Sequence, residues 1–173
     1  DGVFASRLLV YDLSSAQRTG EITIRDGLVL DLSVNGDRML SLCDKRLSIT
    51  TLAGETLLDL PYGNLYLHDY ALTGEDFCAL LLGQYQSGNV CTLTTYDLDG
   101  TALGSLELSE EVLDISAAGE YLAVLYSDSL VLYTRDLQEH SRLEDTGYAG
   151  RVLMEDSGTA VVISASSAWR FLP

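Results

Sequence analysis

Four times along the chain a run of apolar residues stops at a short turn of glycine and polar residues, then another run begins. The turns are Ser33–Asp37, Leu72–Asp76, Ala117–Glu120 and Asp156–Thr159; their glycines, Gly36, Gly74, Gly119 and Gly158, lie 38, 45 and 39 positions apart. A period in that range marks an architecture of stacked repeats. Each repeat holds four short segments. In the clearest they are Leu65–Leu72, Phe77–Leu82, Val90–Leu98 and Ala102–Leu108, the last two joined by the hairpin signal Asp99-Gly100. The repeat before it reads Leu28–Val34, Arg38–Cys43, Arg46–Leu52 and Glu55–Leu60, and the one after reads Val112–Ser116, Tyr121–Tyr126, Ser129–Asp136 and Ser141–Glu144. The breaks come too often for a helical stripe to develop, so the pattern predicts strands throughout.

Position within the repeat predicts burial. Second segments such as Tyr121–Tyr126 and Ala160–Ile163 are apolar without alternation, as in strands covered on both faces. Last segments such as Glu21–Arg25 and Ser105–Leu108 alternate, as in strands with one wet face. Four antiparallel strands, buried within and half exposed at the outer rim, describe one blade of a β-propeller. The expected fold is all-β: a propeller arc of three complete blades and two partial ones, part of a larger ring. The expected blades are 1–27 (partial), 28–62, 63–108, 109–147 and 148–173 (partial), within one domain of 1–173. Gly2–Ser6, Leu8–Leu13 and Glu21–Arg25 read as three strands of the first, and Arg151–Glu155, Ala160–Ser164 and Trp169–Leu172 as three of the last. Three joined to three exceeds one blade, so the arc is expected to stay open. If each end face exposes ~600 Å² of apolar surface, it forfeits ~15 kcal/mol, as much as the ~5–15 kcal/mol by which a domain is stable. A second copy, a protein partner or absent sequence is expected to cover those faces, the alternative being closure as a five-bladed ring with Ala168–Pro173 displaced.

The phrases Leu9-Val10-Tyr11-Asp12-Leu13, Thr95-Tyr96-Asp97-Leu98-Asp99-Gly100 and Leu132-Tyr133-Thr134-Arg135-Asp136-Leu137 resemble the third-strand pattern of WD40-like and quinoprotein-like propellers. The Gly-His and Trp-Asp pairs of WD40 repeats and the tryptophan docking motif of quinoproteins are missing, the single tryptophan being Trp169. More narrowly, the chain resembles the uncharacterised DUF5711-type propeller domains of Gram-positive bacteria. That resemblance implies an extracytoplasmic domain, anchored at the cell surface through sequence absent here; a cytoplasmic setting is the alternative.

Composition narrows the partners. The net charge of −16, from 26 acidic and 10 basic residues, repels nucleic acid and anionic lipid, so no nucleic-acid partner is expected. No apolar run reaches membrane-spanning length, so no direct membrane insertion is expected of this segment. Cys43, Cys78 and Cys91 lack the close pairing of a zinc site and read as structural thiols; no metal or cofactor is expected. No P-loop or nucleophile elbow occurs, and two histidines give a catalytic triad little to draw on. Candidate ligand-binding residues are His68, Asp69 and Tyr70 with Asp31 and Asp114, all on first segments, which would line a propeller's channel mouth. For each, a structural role is the competing reading. Tyr62, Tyr66, Tyr70 and Tyr85 gather around one blade and suit half-buried strands or stacking on a partner. The expected function is a non-catalytic interaction or ligand-presenting module; the alternative is a glycan-binding or hydrolase/lyase-type propeller.

Overall fold

The computed structural model describes residues 5–25, 27–84 and 90–173; Gly2–Phe4 of the first expected strand and Tyr85 lie outside the described residues. Among the described residues there are seventeen strands and no helix. β1 (Ala5–Asp12) and β2 (Gln17–Arg25) form a two-stranded sheet. β3 (Val29–Asn35), β4 (Arg38–Cys43), β5 (Arg46–Thr51) and β6 (Thr56–Pro61) form a four-stranded one. β7 (Tyr66–Ala71), β8 (Phe77–Gly83), β9 (Cys91–Asp97) and β10 (Ala102–Leu108) form the next. β11 (Val112–Ala118), β12 (Tyr121–Tyr126), β13 (Ser129–Thr134) and β14 (Glu139–Glu144) follow, and β15 (Arg151–Met154), β16 (Ala160–Ile163) and β17 (Ala168–Phe171) end the chain in a three-stranded sheet. Among the described residues every strand pairs only with its neighbours in sequence, so in chain order one partial blade is followed by three complete blades and a second partial one.

Ser6 and Leu8 fall in one continuous strand rather than two, because the two-residue alternation runs unbroken through Arg7 and pairs residue for residue with β2 as far as Val10. The chain divides into two compact units, Asp1–Tyr66 with Leu98–Gly100, and Leu67–Asp97 with Thr101–Pro173.

In the second unit one apolar cluster joins Phe77, Ala79, Leu81 and Leu93 to Ile115, Ala117, Leu122 and Val124 of the following sheet. Another joins Leu125, Leu130 and Leu132 to Val152, Ala160 and Val162. The middle sheet is therefore covered on both sides, which is why β12 shows no alternation. In the first unit Leu40, Leu42, Leu47 and Ile49 of β4 and β5 are buried, while the outer strand β6 is partly exposed along its length. The three cysteines are free and buried, and desolvation pushes the Cys78 thiol up to about 12.

The repeating turn glycines serve two physical ends. Gly36, Gly119 and Gly158 have positive φ, a conformation side chains other than glycine rarely adopt. Gly74 instead sits so close to Phe77 that a Cβ would lie 2.5 Å from its carbonyl oxygen.

Candidate functional site

The inner strands carry an aspartate five residues before three of the turn glycines: Asp31, Asp69 and Asp114. The last two face the next sheet. Asp69 accepts the Tyr70 N–H at its Oδ1 (2.8 Å) and the Ile115 N–H of β11 at its Oδ2 (3.0 Å). Asp114, buried, accepts the Val152 N–H of β15 at its Oδ2 (2.7 Å) and Nη1 of Arg151 at its Oδ1 (2.7 Å). These carboxylates fasten one blade to the next, because each satisfies a backbone donor that the facing strand cannot. Ser116 continues the seam by accepting the Met154 N–H, and Thr73 donates to the Ala117 carbonyl. Burial pushes the Asp69 carboxyl above its ordinary value, the Tyr70 and Ile115 N–H groups acting against that rise. The Arg151 guanidinium, largely in solvent, is held charged chiefly by its hydrogen bond to Asp114.

The structure thus brings Asp69 and Asp114 within one electrostatic neighbourhood and adds Arg151 to it. His68 is exposed, its ring lying over Gly83, where a Cβ would come within 2.7 Å of Nε2 and 2.9 Å of Cys91 Sγ. Tyr70 is half-buried on the same strand. Asp31 lies in the first unit, exposed, and accepts the N–H of its neighbour Leu32 (2.7 Å). Arg151 and Ser116 escaped the sequence reading. The shared offset of Asp69 and Asp114 from their turn glycines is the signal that leads to this seam, and Asp31, at the same offset, accepts its neighbour's N–H instead. Among the described residues no group of three or more His, Cys, Asp or Glu side chains is gathered as for a metal ion. No helix there is long and apolar enough to cross a membrane.

A different concavity lies in the first unit where β4 turns into β5 and β6 leads out toward β7. It is a groove of about 640 Å³ whose walls include Lys45, Pro61, Leu65 and Tyr66. Tyr66 is 56% exposed there, and Lys45 is the only lysine in an acidic chain. Tyr62, which also lines the groove, is buried. An aromatic ring beside a cation suits a planar or acidic group on a partner's surface.

No protein-family model matches the chain, and no curated protein matches it. Solved structures do. Hsv2p of Kluyveromyces lactis is similar at 13% identity with a TM-score of 0.67, covering 95% of this chain and 55% of its own. BamB from Moraxella catarrhalis is similar at 13% identity with a TM-score of 0.57, covering 97% of this chain and 54% of its own. BBS1N, solved in complex with ARL6DN, is similar at 16% identity with a TM-score of 0.63, covering 96% of this chain and 55% of its own. At such identities the likeness is one of fold, a β-propeller. The chain spans about half the length of these structures.

Proposed function

We propose that this chain is a non-catalytic interaction module of the propeller type that binds a protein partner at the surface of a bacterial cell. The observation that carries the reading is the use made of the inner-strand carboxylates. Asp69 and Asp114, the residues best placed for acid–base work, each give one oxygen to a backbone donor of the neighbouring sheet, while the other accepts the Tyr70 N–H in Asp69 and the Arg151 guanidinium in Asp114. A carboxylate so occupied holds a scaffold together and is poorly placed to exchange protons with a substrate. The groove beside Tyr66 gives that scaffold a contact surface. That BBS1N was solved in complex with ARL6DN is consistent with a partner-binding role for this fold. The surface setting rests on the resemblance to DUF5711-type domains.

A photo-crosslinking residue placed at Tyr66, displayed on intact bacterial cells, is expected to yield a protein adduct. A panel of glycoside, ester and polysaccharide substrates is expected to show no turnover. Turnover abolished by His68→Ala, or a glycan ligand with no protein adduct, would overturn the reading.

A further inference from the structure

We infer that the cleft between β2 and the sheet β4–β6 is a binding site for a small, neutral, polyhydroxylated molecule of monosaccharide size. The inference is independent of the groove beside Tyr66 and goes beyond the partner-binding reading.

The cleft measures about 220 Å³ and lies wholly within the first unit. Ile22 and Ile24 of β2 form one wall, and Ser41, Arg46, Ser48 and Thr50 stand on the other side. Register explains why these polar groups share a face. Ser41 pairs with Ser48, and Ser48 with Asp59, so the three form a row across the sheet. Thr50, two residues on from Ser48, projects from the same side. Ser41 is only 1% exposed and Thr50 4%. Yet Ser41 Oγ, Thr50 Oγ1 and Arg46 Nε are buried with no hydrogen-bond partner among the described residues. An unanswered buried polar atom costs about 1–3 kcal/mol, so a cleft that gathers several calls for an occupant that answers them.

The fold does not demand polarity at this point. Thr51, Asp97 and Thr134 close the same hairpin turn, each N–H meeting the carbonyl four residues on. Aligned on them through strand register, Ser41 stands where Leu80 and Val124 stand in the two four-stranded sheets that follow. Both of those are apolar and fully buried. Nor does the opening depend on the first sheet having two strands. The joint between β10 and β12–β14, where both sheets have four, holds a cleft of the same size, about 220 Å³. There the polar groups are already partnered. Arg142 donates twice to Glu139, and Tyr126 and Tyr133 share a hydrogen bond. What sets the first joint apart is its hydroxyls with nothing to bind.

The chemistry of those groups names the ligand. A serine or threonine hydroxyl both donates and accepts, whereas Arg46 Nε only donates. Arg46 Nη1 lies 3.3 Å from the Asp59 carboxylate, so its charge is answered within the site. Thr23 and Arg25 alternate onto the exposed face of β2. A ligand with a net charge of its own would shed water here without gaining a free counter-ion. A neutral polyol accepts from Arg46 and exchanges hydrogen bonds with Ser41 and Thr50, while its C–H surface covers Ile22 and Ile24. The cleft exceeds the ~30 Å³ share of one water several-fold, and water alone would leave the isoleucine wall wet.

The test records backbone amide spectra of the 173-residue chain with glucose, galactose, mannose and myo-inositol, and with glucuronate and glucosamine as charged counterparts. At least one neutral compound is expected to shift the amides of Ser41, Ser48 and Thr50 saturably below about 50 mM. Ser41→Ala and Thr50→Val are each expected to weaken that binding about tenfold and to leave the thermal midpoint unchanged or raised, since each removes an unanswered hydroxyl. Shifts from none of the compounds would mean a joint filled by water and would overturn the inference. So would glucuronate or glucosamine binding as tightly as the neutral compounds, shifts confined to residues around Tyr66, full affinity in both variants, or a midpoint lowered by both. A protein adduct at position 66 with no such shifts would leave the interaction reading standing and remove this inference alone.

Discussion

Asp114 is the residue on which the last inter-sheet seam turns. Replacing it with alanine leaves the Val152 N–H without its acceptor in a buried setting, a loss of about 1–3 kcal/mol. Urea unfolding of Asp114→Ala is expected to show that loss, with Asp31→Ala, at an exposed carboxylate, staying within about 0.5 kcal/mol of the parent. Asp69 behaves differently with pH. Its folded-state carboxyl titrates above the ordinary value of 3.8, so ionisation favours the unfolded chain. The stabilising contribution is complete below 3.8 and fades as pH rises through the raised folded value. Stability measured against Asp69→Asn over the acidic range is expected to drift in favour of the asparagine as pH rises.

Asp12 carries the opposite sign. Its carboxylate accepts hydrogen bonds from the hydroxyls and backbone N–H groups of Ser14 and Ser15, the Ser14 hydroxyl acting most strongly, and its pKa falls to about 2. The turn's contribution is therefore present above 3.8 and lost as pH drops through about 2. An NMR titration of the Asp12 carboxyl carbon is expected to give a midpoint near that value, moving up toward 3.8 in a Ser14→Ala/Ser15→Ala variant.

Among the strands, sequence pattern and packing agree wherever both neighbours of a sheet are present. β12 reads as uniformly apolar and is buried along both faces, and β13 follows it. The bulge between β9 and β10 was not legible in Ala102–Leu108. Gly104, beside that bulge, comes close to the Asp136 carbonyl, an approach between residues far apart in the chain. A Cβ at Gly104 would lie 2.7 Å from that backbone oxygen, and backbone cannot swing aside as a side-chain tip does. Gly104→Ala is expected to cost about 1–3 kcal/mol by thermal or urea unfolding, as overpacking does. Gly83→Ala is expected to cost less, since the flexible His68 side chain can move away, although Cys91 Sγ also crowds that site.

At the scale of the whole molecule, the net charge of −16 sets a self-repulsion that every fold of this chain must overcome. Screening reduces it, so the urea midpoint is expected to rise as ionic strength increases toward about 0.15 M, where the Debye length is near 8 Å. A midpoint that falls with salt would show instead that ion pairs such as Arg142–Glu139 and Arg170–Glu155 outweigh the repulsion. The same charge guards against edge-to-edge association.

Outside the first partial blade, where one strand was read as two, the order of strands, their meander pairing and their grouping into blades were legible in the residues alone. Turn glycines and two-residue alternation are local signals, and antiparallel neighbours joined by short turns leave the topology little choice. The candidate carboxylates were legible as positions but not as roles. Whether Asp69 and Asp114 meet a ligand or a neighbouring N–H depends on which strand faces them, 46 and 38 residues further along the chain. That is decided by how sheets stack, which a one-dimensional pattern does not encode. Only the packed structure separates Ile115, which is covered, from Leu32 at the same repeat position, which is not.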